Sequence, residues 1–359
     1  MKSQNRQTNE TGNKWLLGGI VGIGALTALT VWSRQRRQDF RGKVVVITGG
    51  SRGLGLVLAR QFADAGAKLA ICARDADELN RAEISLEKRQ AEVFAKTCDV
   101  RNQDDVNEFI NSVINHFGRV DVLVNNAGVI QVAPLENQTA KDFEEAMSVH
   151  FWGAFHTMQA VVPLMKKQGA GRIVNIASIG GKVAIPHLAP YCASKFALVG
   201  LSDAMRHELR KDNIFVTTVC PGLMRTGSHV NATFKGQNEL EYAWFSLGDA
   251  TPLTSISAES AAKQILEAAR RGRAELIISF QAEILAKMNA LFPELTAEIM
   301  GLADRFLPAA GGIGDNYATG LESGSFVSPS FVTSGIDAAA RANNELAPDE
   351  QLSEKKNTN

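Results

Sequence analysis

The chain has 359 residues, more than a typical single domain and fewer than two large ones. Its 38 basic and 38 acidic side chains cancel, so no basic excess supports nucleic-acid binding, and a content of 45% hydrophobic and 21% charged residues is that of an ordinary globular protein. The four cysteines, Cys72, Cys98, Cys192 and Cys220, fall in no C-x-x-C or Cys/His spacing, so no metal site is expected, and such sparse use fits free thiols in a reducing compartment.

In chain order, residues 1–13 form a polar segment and 14–33 read as a transmembrane anchor. Trp15 to Trp32 is a run of eighteen uncharged residues with Thr27 and Thr30 as its only polar members, bounded by tryptophans that suit a membrane interface. As a helix it would be about 27 Å long, close to the hydrocarbon thickness. Lys14 precedes it, and Arg34, Arg36, Arg37, Arg41 and Lys43 follow. That asymmetry places the main body on the cytoplasmic side of a single-pass protein. A cleaved signal peptide is the alternative, but the run is long for one and a basic cluster stands where a small-residue cleavage site belongs.

Residues 40–280 alternate strand-like and amphipathic patterns. Strand-like runs stand at 43–48, 68–73, 92–97, 120–124, 172–177, 214–220 and 275–279, most of them unbroken aliphatic or β-branched stretches that suit strands buried on both faces. Between them Leu54, Leu58 and Phe62 share one helix face, as do Val106, Ile110 and Ile114. The alternation predicts an α/β, doubly wound parallel sheet. Residues 281–309 read as helix broken near Pro293, and 310–359 as a mostly disordered tail.

Three motifs carry chemistry. Thr48-Gly-Gly-Ser-Arg-Gly-Leu-Gly55 follows a strand and opens a helix. Its glycines let backbone approach a pyrophosphate while the helix N-terminus supplies N–H groups. This assigns Gly49, Ser51, Arg52, Gly53, Leu54 and Gly55 to cofactor binding. At the end of the next strand, where an acid would select NAD, stand Ala73 and Arg74. Arg52 and Arg74 are placed to clamp a 2′-phosphate, which favours NADP(H) over NAD(H), unless both are simply solvated arginines. Third, Tyr191 and Lys195 are four apart, on one face of a helix, and Ser178 ends a strand. A nearby ammonium would lower the phenol's pKa toward a useful value, and Ser178 would hydrogen-bond the substrate oxygen. Tyr-x-x-x-Lys alone is also compatible with a surface pair, but Tyr242 and Tyr317, the other two tyrosines, lack such a lysine.

With Asn125-Asn-Ala-Gly128 and Pro221-Gly222, the order and spacing of these motifs resemble the short-chain dehydrogenase/reductase family over about residues 42–279. The resemblance implies a seven-stranded Rossmann sheet and a homodimer or homotetramer. It implies that Tyr191 exchanges a proton with the substrate oxygen, that Ser178 positions that oxygen, and that Lys195 holds the nicotinamide ribose and tunes Tyr191. Asp99 and Val100 match the adenine-contacting pair, Asn126 and Ala127 line the cofactor, and Pro221, Gly222 and Thr226 match the segment around the nicotinamide. One position departs: where the family often has a relay asparagine, three residues before Gly153, this chain has His150. Either His150 takes part in the relay, titrating near neutral pH, or it is a packed or solvated histidine. The implied activity is interconversion of a carbonyl and an alcohol; a membrane-tethered nucleotide-binding scaffold or redox sensor is the rival. The stretches 181–190 and 223–253, with Met224, Phe234, Tyr242, Trp244 and Phe245, are expected to wall an apolar substrate pocket.

Overall fold

The computed structural model describes residues 37–251, 255–324 and 334–346. The polar segment and anchor expected at 1–33 lie outside the described residues. Among the described residues no helix is long and apolar enough to cross a membrane.

The core alternates strand and helix: β1 (Val44–Thr48), α1 (Gly53–Asp64), β2 (Lys68–Ala73), α2 (Ala76–Glu87), β3 (Val93–Thr97), α3 (Gln103–Phe117) and β4 (Val122–Asn125). It continues through α4 (Ala140–Met147), α5 (Gly153–Gln168), β5 (Gly171–Ile176), α6 (Ala189–Leu209) and β6 (Ile214–Pro221). Last come α7 (Asn238–Ala250), α8 (Ala258–Arg271) and β7 (Glu275–Ile278). These seven strands form one sheet in the order β7-β6-β5-β4-β1-β2-β3, every pairing parallel. This is the doubly wound Rossmann architecture that the alternation predicts.

Strand periodicity explains both layers. Every residue of β1 is buried, and alternate side chains go to opposite faces. Val45 and Ile47 join Leu56, Leu58 and Phe62 of α1 and Ile265 of α8 on one face. Val44 and Val46 join Phe109 of α3 and Met158 of α5 on the other. Fully burying each large side chain contributes about 1.5–3 kcal/mol. Helix α3 starts where Asn102 accepts from the N–H of Asp104 at 2.9 Å and stops at Gly118, whose φ of 78° a side chain would resist. The chain leaves β1 toward β2 and β4 toward β5, on opposite sides, so the crevice at their C-terminal ends is the topological switch point where ligands bind.

After β7 the chain forms α9 (Phe280–Leu291) and α10 (Pro293–Asp304), broken at Pro293 as the proline predicts. The expectation of a mostly disordered tail at 310–359 needs correction for its described parts. Ala318–Thr319 pairs antiparallel with Thr233–Phe234, and α11 (Ser334–Ala342) buries Ile336 and Ala340. Small and polar residues suggested a solvated chain. The structure instead uses them for close approach and side-chain hydrogen bonds to the core.

Candidate active site

The two loops at the switch point are locked to each other. Thr48 Oγ1 accepts from the N–H groups of Asn126 (3.1 Å) and Ala127 (3.2 Å), while Asn126 Nδ2 donates to the carbonyls of Thr48 and Gly49. A methyl group on Gly55 would collide with the Gly49 carbonyl, so the helix can start this close to the strand only with glycine there. Behind the loops runs a buried chain of amides and hydroxyls: Thr157 donates to Asn125, Asn125 to Asn175 and Asn175 to Ser202. It ties β4, β5, α5 and α6 together beneath the site. Sequence reasoning assigned no role to Thr48, though it opens the glycine motif, and had no signal for the buried chain.

A cleft of about 1350 Å³ opens above these loops. Gly49, Ser51, Arg52, Gly53, Leu54, Arg74, Asp99, Val100, Asn126, Ala127, His150, Tyr191, Lys195 and Thr226 all line it. Gly55, Ser178, Pro221 and Gly222 lie outside that lining: Gly55 is buried behind the loop, and Gly222 donates its N–H to the Ile278 carbonyl. The cleft, its glycine floor and a helix N-terminus facing it fit an extended dinucleotide.

Tyr191 and Lys195 line the cleft together, and Ser178, just outside that lining, hydrogen-bonds with Tyr191. Ser178 caps a short turn by accepting from the Gly180 N–H at 3.0 Å. Lys195 Nζ lies 5.5 Å from the centre of the Tyr191 ring and donates to the Ile176 carbonyl at 2.9 Å. Burial pushes the Tyr191 phenol up to about 12, with a hydrogen bond from Ser178 pulling the other way. Burial also pushes Lys195 down to about 7. Desolvation of both groups therefore runs against the expected lowering of the phenol by an ammonium. At neutral pH Tyr191 holds its proton.

His150 is 1% exposed and sits in a π-helical turn, Ser148–Trp152, between α4 and α5. Its Nε2 accepts from the Val129 N–H at 3.1 Å. Its Nδ1 lies 2.7 Å from Ser194 Oγ, whose own proton goes to the Tyr191 carbonyl at 2.8 Å. The partners assign a neutral ring protonated on Nδ1. Burial, then the Lys195 charge, push its pKa well below 6.5, so a neutral-range ionisation does not arise here. Both nitrogens are engaged by protein, and the ring stands edge-on to Tyr191 at 5.5 Å.

Two further expectations change. Phe234, Tyr242 and Phe245 are buried in a cluster with Val132, Leu188 and Cys192, and Trp244 packs against it. Of the five side chains expected to wall the pocket, Met224 alone lines the cleft. Arg52 is already paired: its Nη1 lies 2.6 Å from Glu78 and its Nε 3.4 Å from Glu345. Arg74 is exposed at the cleft edge. All four cysteines are buried, and burial raises Cys192 and takes Cys220 up to about 12. Cys192 and Cys220 are therefore poor thiolates.

The fold, the glycine loop and the Ser-Tyr-Lys cluster define a nucleotide-dependent oxidoreductase architecture, and the chain belongs to the short-chain dehydrogenase/reductase family. The short chain dehydrogenase family model matches residues 43–235. A Drosophila melanogaster "dehydrogenase/reductase SDR family protein 7-like" is 34% identical over 299 residues, 80% of this chain and 90% of that protein. Among solved structures, a Burkholderia phymatum short-chain dehydrogenase/reductase in complex with NAD is similar at 26% identity and a TM-score of 0.66, covering 72% of this chain and 96% of that one. L-sorbose reductase from Gluconobacter frateurii, complexed with NADPH and L-sorbose, is similar at 28% identity and a TM-score of 0.61, covering 67% and 97%.

Proposed function

We propose that the protein reduces a small-molecule carbonyl to an alcohol with NADP(H), using Tyr191 as the proton donor. The observation that carries this reading is the half-buried Tyr191 on the wall of the cleft, hydrogen-bonded with Ser178 and with Lys195 Nζ 5.5 Å from its ring centre. The nicotinamide, when bound, supplies a hydride to the carbonyl carbon. Ser178 holds the carbonyl oxygen, and the Tyr191 O–H delivers the proton that the developing alkoxide needs. A phenol near 12 is still far more acidic than an alcohol, so the transfer runs downhill. Lys195 holds the ribose and Asn126 keeps the two loops in register. Val129, Ile130 and Met224 offer an apolar flank to the substrate.

The preference for the 2′-phosphate rests on Arg74 with Ala73 in place of an acid, and on Arg52 once it leaves Glu78. The relatives compared include both NAD and NADPH complexes. The reaction is tested by incubating the protein with NADPH deuterated at the nicotinamide C4 and a panel of ketones and aldehydes. Deuterium on the carbinol carbon of a product supports the reading; no transfer to any carbonyl argues for a binding scaffold.

The tether belongs to the same proposal. The uncharged run at 15–32 and the basic cluster after it support a single-pass anchor with the body on the cytoplasmic side. Exposed Phe280, Leu291, Phe292, Leu295, Leu302 and Phe306 on and beside α9 and α10 offer a second apolar contact with the bilayer. Full-length protein should resist carbonate extraction; removal of residues 1–32 should release it, and a truncated protein that stays on membranes would support the second contact. A freely soluble full-length chain would remove the anchor. Exposed Trp152 and Phe196 give a second copy an apolar surface, in keeping with a homodimer or homotetramer.

A further inference from the structure

The described end of the chain lies across the glycine loop. After α11 the Asn343 carbonyl accepts from the N–H of Gly53 at 2.9 Å, and Asn344 Nδ2 donates to the carbonyls of Ser51 and Glu78. Asn343 Nδ2 donates to the Thr226 carbonyl, so the segment bridges both rims of the cleft. Arg60 and Arg81, from α1 and α2, donate to Asn343 and Asn344. Ala340 fills the space that a side chain at Gly227 would need.

Glu345 is the consequential residue. It is 5% exposed and lines the dinucleotide cleft. Its carboxylate accepts from Asn231 Nδ2 at 2.8 Å and lies 3.4 Å from Arg52 Nε. A methyl group built on Gly53 would collide with Glu345 Oε1. Gly53 is the glycine of the motif whose bare backbone lets a pyrophosphate approach, and it opens α1. Leu56 N–H already bonds the Arg52 carbonyl, so the anion-binding amides of this helix start are those before it. One of them, Gly53 N–H, is taken by the strap. A carboxylate therefore occupies the ground that an anionic phosphate would use, next to the same arginine.

We propose that residues 334–346 form an intrasteric strap in which Glu345 acts as an internal stand-in for the cofactor pyrophosphate, so that dinucleotide binding must displace it. The proposal rests on dinucleotide binding at this loop. An anion held in place at the site reduces apparent cofactor affinity by the fraction of molecules in which the strap is closed. A proton on Glu345, whose burial raises it to about 7, weakens the same contact.

The test uses the full-length protein, Glu345→Ala and Glu345→Gln, with NADPH and NADH affinities measured by nucleotide fluorescence. Glu345→Ala should tighten binding about tenfold or more and Glu345→Gln by less. Equal or weaker binding in Glu345→Ala overturns the strap alone. Absence of nucleotide binding in all three proteins overturns the cofactor reading and the strap with it. A second measurement needs no variant: trypsin cleavage after Arg341 in the wild type should accelerate when NADPH is added. Unchanged or slower cleavage would show that the segment clasps the cofactor or ignores it, and either result rejects the stand-in.

Discussion

His150 touches the catalytic helix through Ser194: its Nδ1 lies 2.7 Å from Ser194 Oγ, which donates to the backbone carbonyl of Tyr191. The histidine thus holds the start of α6 to the loop at Val129 with both of its nitrogens committed. It is a positioning residue, supporting Tyr191 from behind.

It follows that the kcat/KM profiles of wild type and His150→Asn should have the same shape around neutral pH, because burial holds the ring's pKa well below its ordinary value. His150→Ala should cost about 1–3 kcal/mol in stability by leaving the Val129 N–H and Ser194 without their partner. A wild-type ionisation near neutrality that His150→Asn removes would return the histidine to the proton relay.

Lys195, which the proposed reaction uses to hold the ribose, is kept at a cost to the fold. Its pKa falls from an ordinary value near 10.5 to about 7 on burial. Between those values the unfolded chain binds a proton here that the folded chain does not, so this group makes stability rise with pH across the window. Lys195→Met should therefore raise stability at pH 7–8 by about 1–3 kcal/mol while abolishing turnover and weakening cofactor binding. A thermal melt settles it; a lower Tm in Lys195→Met would mean that the bond to the Ile176 carbonyl outweighs the buried charge.

Cofactor choice should depend more on Arg74 than on Arg52. Glu78 and Glu345 already neutralise Arg52, whereas Arg74 stands exposed where an NAD-selecting acid is absent. Arg74→Ala should weaken NADPH binding about tenfold or more, with a smaller loss for Arg52→Ala. Ala73→Asp combined with Arg74→Ala should reverse the preference to NADH. Equal affinity of the wild type for both nucleotides would remove the selectivity altogether.

The seven strands were legible because most are aliphatic runs bounded by turn residues, and the observed ends fall within two residues of the expected ones for β1 (Val44–Thr48) and β4 (Val122–Asn125). The proximity of Ser178, Tyr191 and Lys195 was legible because Tyr191 and Lys195 are local in sequence and Ser178 ends a strand. What escaped depended on distance and on burial. Nothing in the residues around Glu345 signals that they cross to Gly53, nearly three hundred positions earlier. The aromatic side chains of 223–253 looked available for substrate because sequence does not reveal that Phe234 and Tyr242 pack edge to face at 5.3 Å. The direction of the pKa shifts was missed for the same reason: spacing shows which charges are near, while desolvation is set by the whole fold.

Tyr191 supplies the proton in the proposed reaction. The direct measurement is kcat for carbonyl reduction in Tyr191→Phe, paired with the NADPH dissociation constant of the same protein. A loss of about 100-fold or more in kcat is expected, with NADPH affinity within about twofold of wild type, since the phenyl ring keeps its packing against His150 and only the O–H is gone. A Tyr191→Phe protein that turns over at a substantial fraction of the wild-type rate would contradict that role of Tyr191.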